Sequence, residues 1–229
     1  MPVKMVVFDM AGTTVSDQHF VADAFQNALK KQGIHLTMAE IQPLMGYEKK
    51  FAIRMMLKEQ AKNADVDANN ERKIETIYND FIREMIDFYE YSPQVRPAEG
   101  AEEVFNDLKE KSIVIALNTG FPKNIADTIV NRFQWIEKGL VDDYIASNEV
   151  EKGRPYPFMI EQLMYRAGID DPMLVAKVGD TAVDVEEGKN VGCGYVIAIT
   201  TGAYKTTELE RSEPTHIVNS LREISSILM

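Results

Sequence analysis

The amino-acid sequence predicts an α/β fold, in which helices flank a parallel β-sheet and a helical segment is inserted after the first strand. Three observations support this prediction. Short, mostly apolar runs recur along the chain, helical patterns separate the later runs, and residues 15 to about 95 show helical patterns alone. Mostly apolar runs of this length are typical of strands buried on both faces, as in a parallel sheet.

The apolar runs and the helical patterns between them locate the elements of the sheet. Strands are predicted over residues 4–8, 112–117, 173–178, 195–199 and 216–218. Helices are predicted over residues 101–111, 158–167 and 180–191, and Gly192 is a typical C-terminal stop for the last of these. Strands and helices that alternate in this way indicate an α/β domain with right-handed crossovers.

The inserted segment is predicted to form a cap. Helical patterns cover residues 21–31, 38–44, 48–60 and 71–91, and the polar stretch 62–73 is typical of a surface connection between helices. Pro93 and Pro97 mark the return of the chain to the sheet. We therefore predict a core domain formed by residues 1–14 and 96–229, and a helical cap domain formed by residues 15–95.

Composition limits the partners that this chain can have. Asp and Glu total 36 against 25 for Lys and Arg, so the formal net charge over 229 residues is -11. This charge argues against nucleic acid or an anionic membrane as the main partner, whereas an anionic substrate needs only local positive charge or a metal in a cleft. No run approaches transmembrane length, and a cytoplasmic protein is expected. Cys193, the one cysteine, excludes an internal disulfide and is predicted to be a small buried core residue.

Polar residues follow several of the predicted strands. Asp9 follows the first strand, residues 118–120 follow the second, and residues 179–181 with Asp184 follow the third. Arg154 lies in the loop before the helix that leads into the third strand. Each of these residues alone has an ordinary structural explanation as a helix cap, a turn or an exposed charge. In a parallel sheet, however, ligands bind beyond the carboxyl ends of the strands, where these residues would meet.

Together these residues predict a site for a metal and a phosphoryl group. Asp9 and Asp180 supply the hard oxygen ligands that suit Mg²⁺. The Thr119 hydroxyl and nearby backbone N–H groups can bind phosphoryl oxygens, and Arg154 can neutralise charge that develops during phosphoryl transfer.

These motifs resemble those of the haloacid dehalogenase superfamily, and most of all those of its phosphonatase (phosphonoacetaldehyde hydrolase) subgroup. The stretches "DMAGTT", "NTG", "GRPYP" and "VGDTAVDVEEG" occur in the order that the superfamily uses, and the similarity covers nearly the whole chain. The resemblance implies a Rossmann-like three-layer α/β/α core with a parallel sheet, and an α-helical cap inserted after the first strand. It also implies a hydrolase that acts on a small phosphorylated or phosphonate metabolite.

The resemblance implies a role for each motif residue. Asp9 would be the nucleophile and form an aspartyl-phosphate. Asp9, the backbone carbonyl of Ala11 and Asp180 would bind Mg²⁺, and Asp184 would support the metal site. The phosphoryl group would be held by residues of the second and third motifs and the cap, namely Thr119, Gly120, Arg154 and Met45.

Two departures from the common superfamily pattern are shared with phosphonatase. Most members carry a second Asp, which protonates the leaving alcohol, where this chain has Ala11, and most carry Lys where this chain has Arg154. Cleavage of a C–P bond needs an electron sink instead, which phosphonatase obtains from a cap lysine that forms a Schiff base. The cap stretch "LMGYEKKFAIR" resembles the corresponding phosphonatase segment, and Lys49 falls on the Schiff-base lysine. A solvated lysine at the start of a helix is the structural alternative.

Three positions around the expected organic part of the pocket differ from phosphonatase. Ala52 replaces a His, Phe121 replaces a Tyr and His19 replaces a Cys. Three functions therefore remain open: a phosphonatase-like hydrolase, a phosphatase that acts on a small phosphate monoester, and a non-catalytic phospho-acceptor module. The helical caps of phosphonatase relatives can pair, so the resemblance allows a homodimer formed through the cap and leaves the oligomeric state open.

Overall fold

A computed structural model of the chain describes residues 2–16, 19–62 and 67–228. Within these residues the strands form one six-stranded sheet of order β3-β2-β1-β4-β5-β6, and every neighbouring pair is parallel. The strands are β1 (Met5–Asp9), β2 (Val114–Thr119), β3 (Asp143–Ala146), β4 (Val175–Gly179), β5 (Tyr195–Ile199) and β6 (His216–Val218). This sheet, with the helices that flank it, confirms the predicted fold class.

Helices cover both the insertion and the connections between strands. Those of the insertion are α1 (Phe20–Lys31), α2 (Met38–Ile41), α3 (Lys49–Ala61) and α4 (Glu71–Tyr91). Those of the remaining chain are α5 (Ala101–Glu110), α6 (Lys123–Phe133), α7 (Phe158–Ala167), α8 (Ala182–Val191), α9 (Thr206–Arg211) and α10 (Arg222–Ile227). Short 3₁₀ helices form at Gln42–Leu44, Ser147–Glu149 and Pro172–Leu174.

Several sequence predictions of individual elements were incomplete or wrong. Strand β3 was missed because it is a four-residue edge strand whose first two residues are only partly buried, so it carries no apolar run. Helix α6 was also missed. The helix predicted to start at Asp180 starts at Ala182, because Thr181 caps it by accepting a hydrogen bond from the Asp184 N–H. The predicted helix 38–44 divides into α2 and a 3₁₀ turn that contains Pro43. In the predicted connection 62–73, residues 63–66 lie outside the described residues.

Strand β1 lies between β2 and β4 in the interior of the sheet. All of its residues are buried, and they divide between the two faces: Val6 and Phe8 join the core on one side, and Met5 and Val7 join the core on the other. The chain leaves β1 towards β2 on one side and later returns to β4 on the other side. The carboxyl end of β1 is therefore the point at which the strand order reverses, where ligands of open α/β sheets bind.

Aromatic side chains join the cap helices α1 and α4 to each other, and α4 to the loop that follows β2. Phe25 of α1 stacks on Phe81 of α4 with ring centroids 4.1 Å apart. Phe121 of the loop lies 6.4 Å from the Phe81 ring and 5.8 Å from the Tyr89 ring, so it joins the cap to the sheet. The exact division into two domains at residues 14/15 and 95/96 stays a prediction.

Two expectations from composition concern the burial of Cys193 and the presence of membrane-spanning helices. Cys193 is buried as predicted, and burial raises the pKa of its thiol to about 12. In the described part of the chain, no helix combines the length and the hydropathy needed to cross a bilayer.

Candidate active site

The strand-end residues meet at the carboxyl edge of the sheet, as the sequence predicted. Asp9 is the last residue of β1 and is paired in register with Asn118 of β2. Gly179 ends β4 on the other side of β1, so Asp180 emerges beside Asp9. Arg154 comes from the loop before α7 and is buried at 3% exposure.

A tight turn after β1 sets the position of Asp9. The N–H groups of Thr13, Thr14 and Val15 all point at the Met10 carbonyl, and the Thr14 hydroxyl donates to the Asp9 carbonyl over 2.8 Å. Gly12 has φ of 88°, and a Cβ there would lie 2.5 Å from Asp180 Oδ2. Both the conformation and the space therefore require glycine.

Asp180 is held by two donors. Its Oδ1 accepts a hydrogen bond from the Thr13 hydroxyl at 2.9 Å, and its Oδ2 accepts one from the Ala203 N–H at 2.7 Å. Burial raises the pKa of Asp180 well above its ordinary value, and the neighbouring Asp9 and Asp184 raise it further. A nearby cation would relieve this cost of burying a negative charge.

Gly202 leaves room for the Asp180 carboxylate. A Cβ at this position would lie 2.0 Å from Asp180 Oδ2, so Gly202→Ala is expected to displace the carboxylate and to weaken the binding of a divalent cation at this edge by about 10- to 100-fold. Calorimetric titration with Mg²⁺ measures this directly. Gly139→Ala is the control, because a Cβ there meets nothing within 4 Å; its positive φ of 67° also tests whether backbone strain remote from the site changes the affinity. Equal Mg²⁺ affinity in wild type and Gly202→Ala would contradict the role given to this glycine.

Asp184 is surrounded by two cationic side chains and one hydroxyl group. Its Oδ2 accepts a 2.6 Å hydrogen bond from the Thr181 hydroxyl, and its Oδ1 lies 2.9 Å from both Arg154 Nη1 and Lys177 Nζ. Burial by itself would raise the pKa of Asp184, but Arg154 and Lys177 outweigh it and lower that pKa. Asp184 is therefore ionised in the folded protein.

Every nitrogen of the Arg154 guanidinium has a partner. Nη1 donates to Asp9 Oδ1 at 2.6 Å, Nε donates to Glu187 Oε2 at 3.0 Å, and Nη2 donates to the Asn118 backbone and side-chain oxygens at 2.7 and 2.5 Å. Burial alone would lower the pKa of Arg154, but Asp184, Asp9 and Glu187 raise it. The planar fork is thus fixed beside Asp9, which a lysine could not reproduce.

Sequence reasoning missed Lys177 and Glu187, which support the site through hydrogen bonds to Asn118. Lys177 donates to Asn118 Oδ1 at 2.7 Å, and Glu187 accepts from Asn118 Nδ2 at 2.9 Å. Two signals were available in the sequence. Lys177 is a charged residue within an otherwise apolar predicted strand, and Glu187 follows Asp184 at the i, i+3 spacing that shares one helix face.

The carboxylates at this edge fit a hard divalent cation. Oxygen atoms of Asp9, Asp180 and Asp184 lie within 4.8 Å of one another, and all three residues are buried. Burial raises the pKa of Asp9 as well, although Arg154 opposes the rise. Buried carboxylates this close are stabilised by a cation with oxygen preference, of which Mg²⁺ is an example. Ala11 lines the same cavity as Asp9 and Asp180.

Lys49 reaches the site from the cap. It begins α3, is 3% exposed, and lines the cavity that Asp9, Arg154 and Asp180 also line. Its ammonium donates to the Tyr47 carbonyl at 3.1 Å and lies 4.7 Å from the centroid of the Phe121 ring. The alternative of a solvated surface lysine is wrong for Lys49, whereas Lys50 is such a residue and pairs with Glu75 at 2.7 Å.

The remaining predicted residues close the cavity on the side of the cap. Thr119, Gly120 and Met45 all line it. A Cβ on Gly120 would lie 2.5 Å from the Gly46 carbonyl oxygen, so the cap rests directly on the loop after β2. The cavity measures about 30 Å³, room for one or two water molecules. A phosphorylated metabolite is larger than this space, so its binding requires more room between the cap and the sheet.

The fold and this set of strand-end residues define a hydrolase of the haloacid dehalogenase type. Residues 6–198 match the haloacid dehalogenase-like hydrolase family, and the chain belongs to that family.

Similar proteins carry phosphonatase and phosphatase names. A phosphonoacetaldehyde hydrolase of Bacillus mycoides is 27% identical over 93% of this chain and 83% of its own length. One of Bacillus cereus is 30% identical over 84% of this chain and 74% of its own length. A solved structure of a phosphonoacetaldehyde hydrolase-like protein from Oleispira antarctica has a TM-score of 0.86 at 22% identity, over 100% of this chain and 92% of that chain. The solved structure of a predicted phosphoglycolate phosphatase from Haemophilus somnus has a TM-score of 0.83 at 19% identity, over 99% of this chain and 98% of that chain. At these identities the two solved structures carry information about the fold alone.

Proposed function

We propose that this chain is a Mg²⁺-dependent phosphonatase-like hydrolase in which Asp9 attacks phosphorus and forms an aspartyl-phosphate. One observation carries the proposal: a carboxylate fixed by Arg154 and a buried cap lysine line the same small cavity. Asp9, Asp180 and the backbone carbonyl of Ala11 would hold Mg²⁺, with Asp184 in support. When bound, the metal would neutralise charge on the phosphoryl oxygens.

The side chains of this chain divide the remaining work. Arg154 would neutralise the phosphoryl group beside Asp9, and Thr119 and the Gly120 N–H would bind its other oxygens. Met45 would pack against the substrate from the cap. The closed cap would exclude water while the acyl phosphate exists, and a later water molecule would hydrolyse it to regenerate Asp9.

Lys49 would supply the electron sink for cleavage of a C–P bond. Its amine would condense with the substrate aldehyde, with loss of water, to form an iminium ion. As an Asp9 oxygen bonds to phosphorus, the C–P bond breaks and its electron pair passes into an enamine. Protonation of the enamine carbon and hydrolysis of the resulting imine release the aldehyde and restore Lys49. The phosphonoacetaldehyde hydrolase names of the Bacillus relatives and Ala11 at the position of the usual acid support this substrate.

Borohydride trapping tests the Schiff base. With phosphonoacetaldehyde and sodium borohydride, we expect a reduced adduct on Lys49, located by peptide mass mapping, together with loss of activity. Lys50→Arg is the matched control and should keep the adduct, since Lys50 is paired with Glu75 on the surface. Lys49→Arg should lose it. Turnover of phosphonoacetaldehyde with no adduct on Lys49 would overturn this part of the proposal.

The alternative is a phosphatase that acts on a small phosphate monoester. The surroundings of Lys49 favour it, because a carbonyl acceptor and an aromatic face both stabilise the charged ammonium rather than the free amine. In that case Lys49 would neutralise the phosphate without forming a covalent bond.

A panel of phosphate esters separates this alternative from the first proposal. Because Ala11 cannot donate a proton to the leaving group, we expect aryl phosphates, which have acidic leaving groups, to turn over much faster than alkyl phosphates. Steady-state rates with and without Mg²⁺ measure the difference. Equal rates on the two kinds of ester would contradict the absence of a general acid.

A further inference from the structure

The loop that follows β5 touches both the candidate metal site and the cap. We call residues 201–204 the strap. Towards the sheet, the Ala203 N–H donates to Asp180 Oδ2 at 2.7 Å, and the Thr201 hydroxyl donates to the Gly12 carbonyl at 3.3 Å. The strap therefore holds Asp180 and lies against the turn that carries Asp9.

Towards the cap, the same strap accepts and donates hydrogen bonds. Gln42 Nε2 donates to the Ala203 carbonyl, and the Tyr204 hydroxyl donates to the Pro43 carbonyl at 2.9 Å. Gln42 and Pro43 lie in the 3₁₀ helix Gln42–Leu44, which leads directly into Met45 at the cavity. The strap is thus bonded to the cap segment that closes the site.

Both bonds at Ala203 act on one residue. The N–H that holds Asp180 belongs to the peptide before the Ala203 Cα, and the carbonyl that receives Gln42 belongs to the peptide after it. The bond from Gln42 fixes the peptide group that follows Ala203. This limits rotation about the backbone of Ala203, so it also fixes the direction in which the Ala203 N–H points. When the cap moves away, the Gln42 bond is lost and the Ala203 N–H is held less firmly towards Asp180.

We infer that Gln42 is a positioning residue: through Ala203 it orients Asp180 for Mg²⁺, so that closure of the cap and binding of the metal strengthen each other. The inference rests on the proposed Mg²⁺ site. Linkage requires that the effect be reciprocal, so Mg²⁺ should favour the closed cap by the same factor by which closure raises Mg²⁺ affinity.

Calorimetric titration of Mg²⁺ into the full chain tests the first half of this linkage. Gln42→Met removes the donor and keeps most of the side-chain volume, and we expect it to weaken Mg²⁺ binding by about 3- to 10-fold, the effect of losing one hydrogen bond. Tyr204→Phe removes the second bond between strap and cap and should act in the same direction. Gln26→Met is the matched control: Gln26 donates to the Leu36 carbonyl at 2.9 Å within the cap and does not touch the strap. Its Mg²⁺ affinity should equal that of the wild type.

Amide hydrogen exchange tests the second half. Mg²⁺ should slow exchange at residues 42–48 in the wild type, and it should slow it less in Gln42→Met. Gln42→Met and Tyr204→Phe proteins that fold and bind Mg²⁺ as tightly as the wild type would overturn the inference and leave the proposed function standing. A wild-type chain that binds no Mg²⁺ would overturn both.

Discussion

Replacing Asp9 with Asn is expected to lower kcat by about 10⁴-fold or more, because the amide keeps the shape of the carboxylate and lacks its nucleophilic oxygen. Asp9 lies at the end of a strand that is buried on both faces, and its Oδ1 is fixed by Arg154 at 2.6 Å. Steady-state kinetics measure the loss, and acid quenching with mass spectrometry should detect a phosphorylated Asp9 peptide in the wild type alone.

Asp170→Asn is the matched control for this experiment. Asp170 is exposed, and its replacement should leave both kcat and the thermal midpoint unchanged. Circular dichroism would verify that Asp9→Asn retains the native secondary structure. Substantial turnover by a folded Asp9→Asn protein would overturn the assignment of the nucleophile, and with it the phosphoenzyme.

Replacing Arg154 is expected to reduce both activity and stability. Arg154→Lys keeps the charge but loses the fork that joins Asp9, Asn118 and Glu187, so we expect kcat to fall by about 10²- to 10³-fold. Arg154→Met also removes the charge and leaves buried carboxylates without their partner. Such a loss costs about 3–5 kcal/mol, and at about 2–4 °C per kcal/mol the thermal midpoint should fall by about 6–20 °C.

Arg166→Lys provides the comparison for both effects. Arg166 pairs with Asp143 at 3.3 Å on the surface, where ion pairs contribute little, so this variant should behave as the wild type. Calorimetry and kinetics on the three variants separate the effect on folding from the effect on turnover. If Arg154→Lys retained wild-type kcat, a point charge would be sufficient beside Asp9 and the fork would have no part in turnover.

Most of the fold followed from local patterns in the sequence. Strand Tyr195–Ile199 and helix Glu71–Tyr91 were predicted with their observed bounds, and the other predicted strands lie within two residues of theirs. Burial on both faces and helical periodicity are patterns of consecutive residues, so the sequence contains them. Strand β3 was missed for the same reason. It is a short edge strand, and it is its pairing with β2, not an apolar run of its own, that makes it a strand.

The strand-end chemistry was also predictable, whereas its supporting network was not. Asp9, Thr119, Arg154 and Asp180 were expected to meet because ligands of a parallel sheet bind at one known edge. That rule says nothing about side chains that reach this edge from within a strand, as Lys177 does, or from a flanking helix, as Glu187 does. Lys177 and Glu187 are charged groups at 1% and 0% exposure, and only their mutual partners make such burial tolerable.

The sequence by itself determined the class of fold, the edge of the sheet that carries the chemistry and the small residue Ala11 where a general acid usually lies. The fold class and the sheet edge depend on residue type and on periodicity along the chain, whereas the meaning of Ala11 comes from the resemblance of its motif to the haloacid dehalogenase superfamily. Only the tertiary structure decided that Asp184 Oδ1 lies between two buried cations, that Lys49 is buried over the cavity and that Gln42 reaches Ala203. Those contacts join residues far apart in the chain, and their geometry depends on how the cap packs on the sheet.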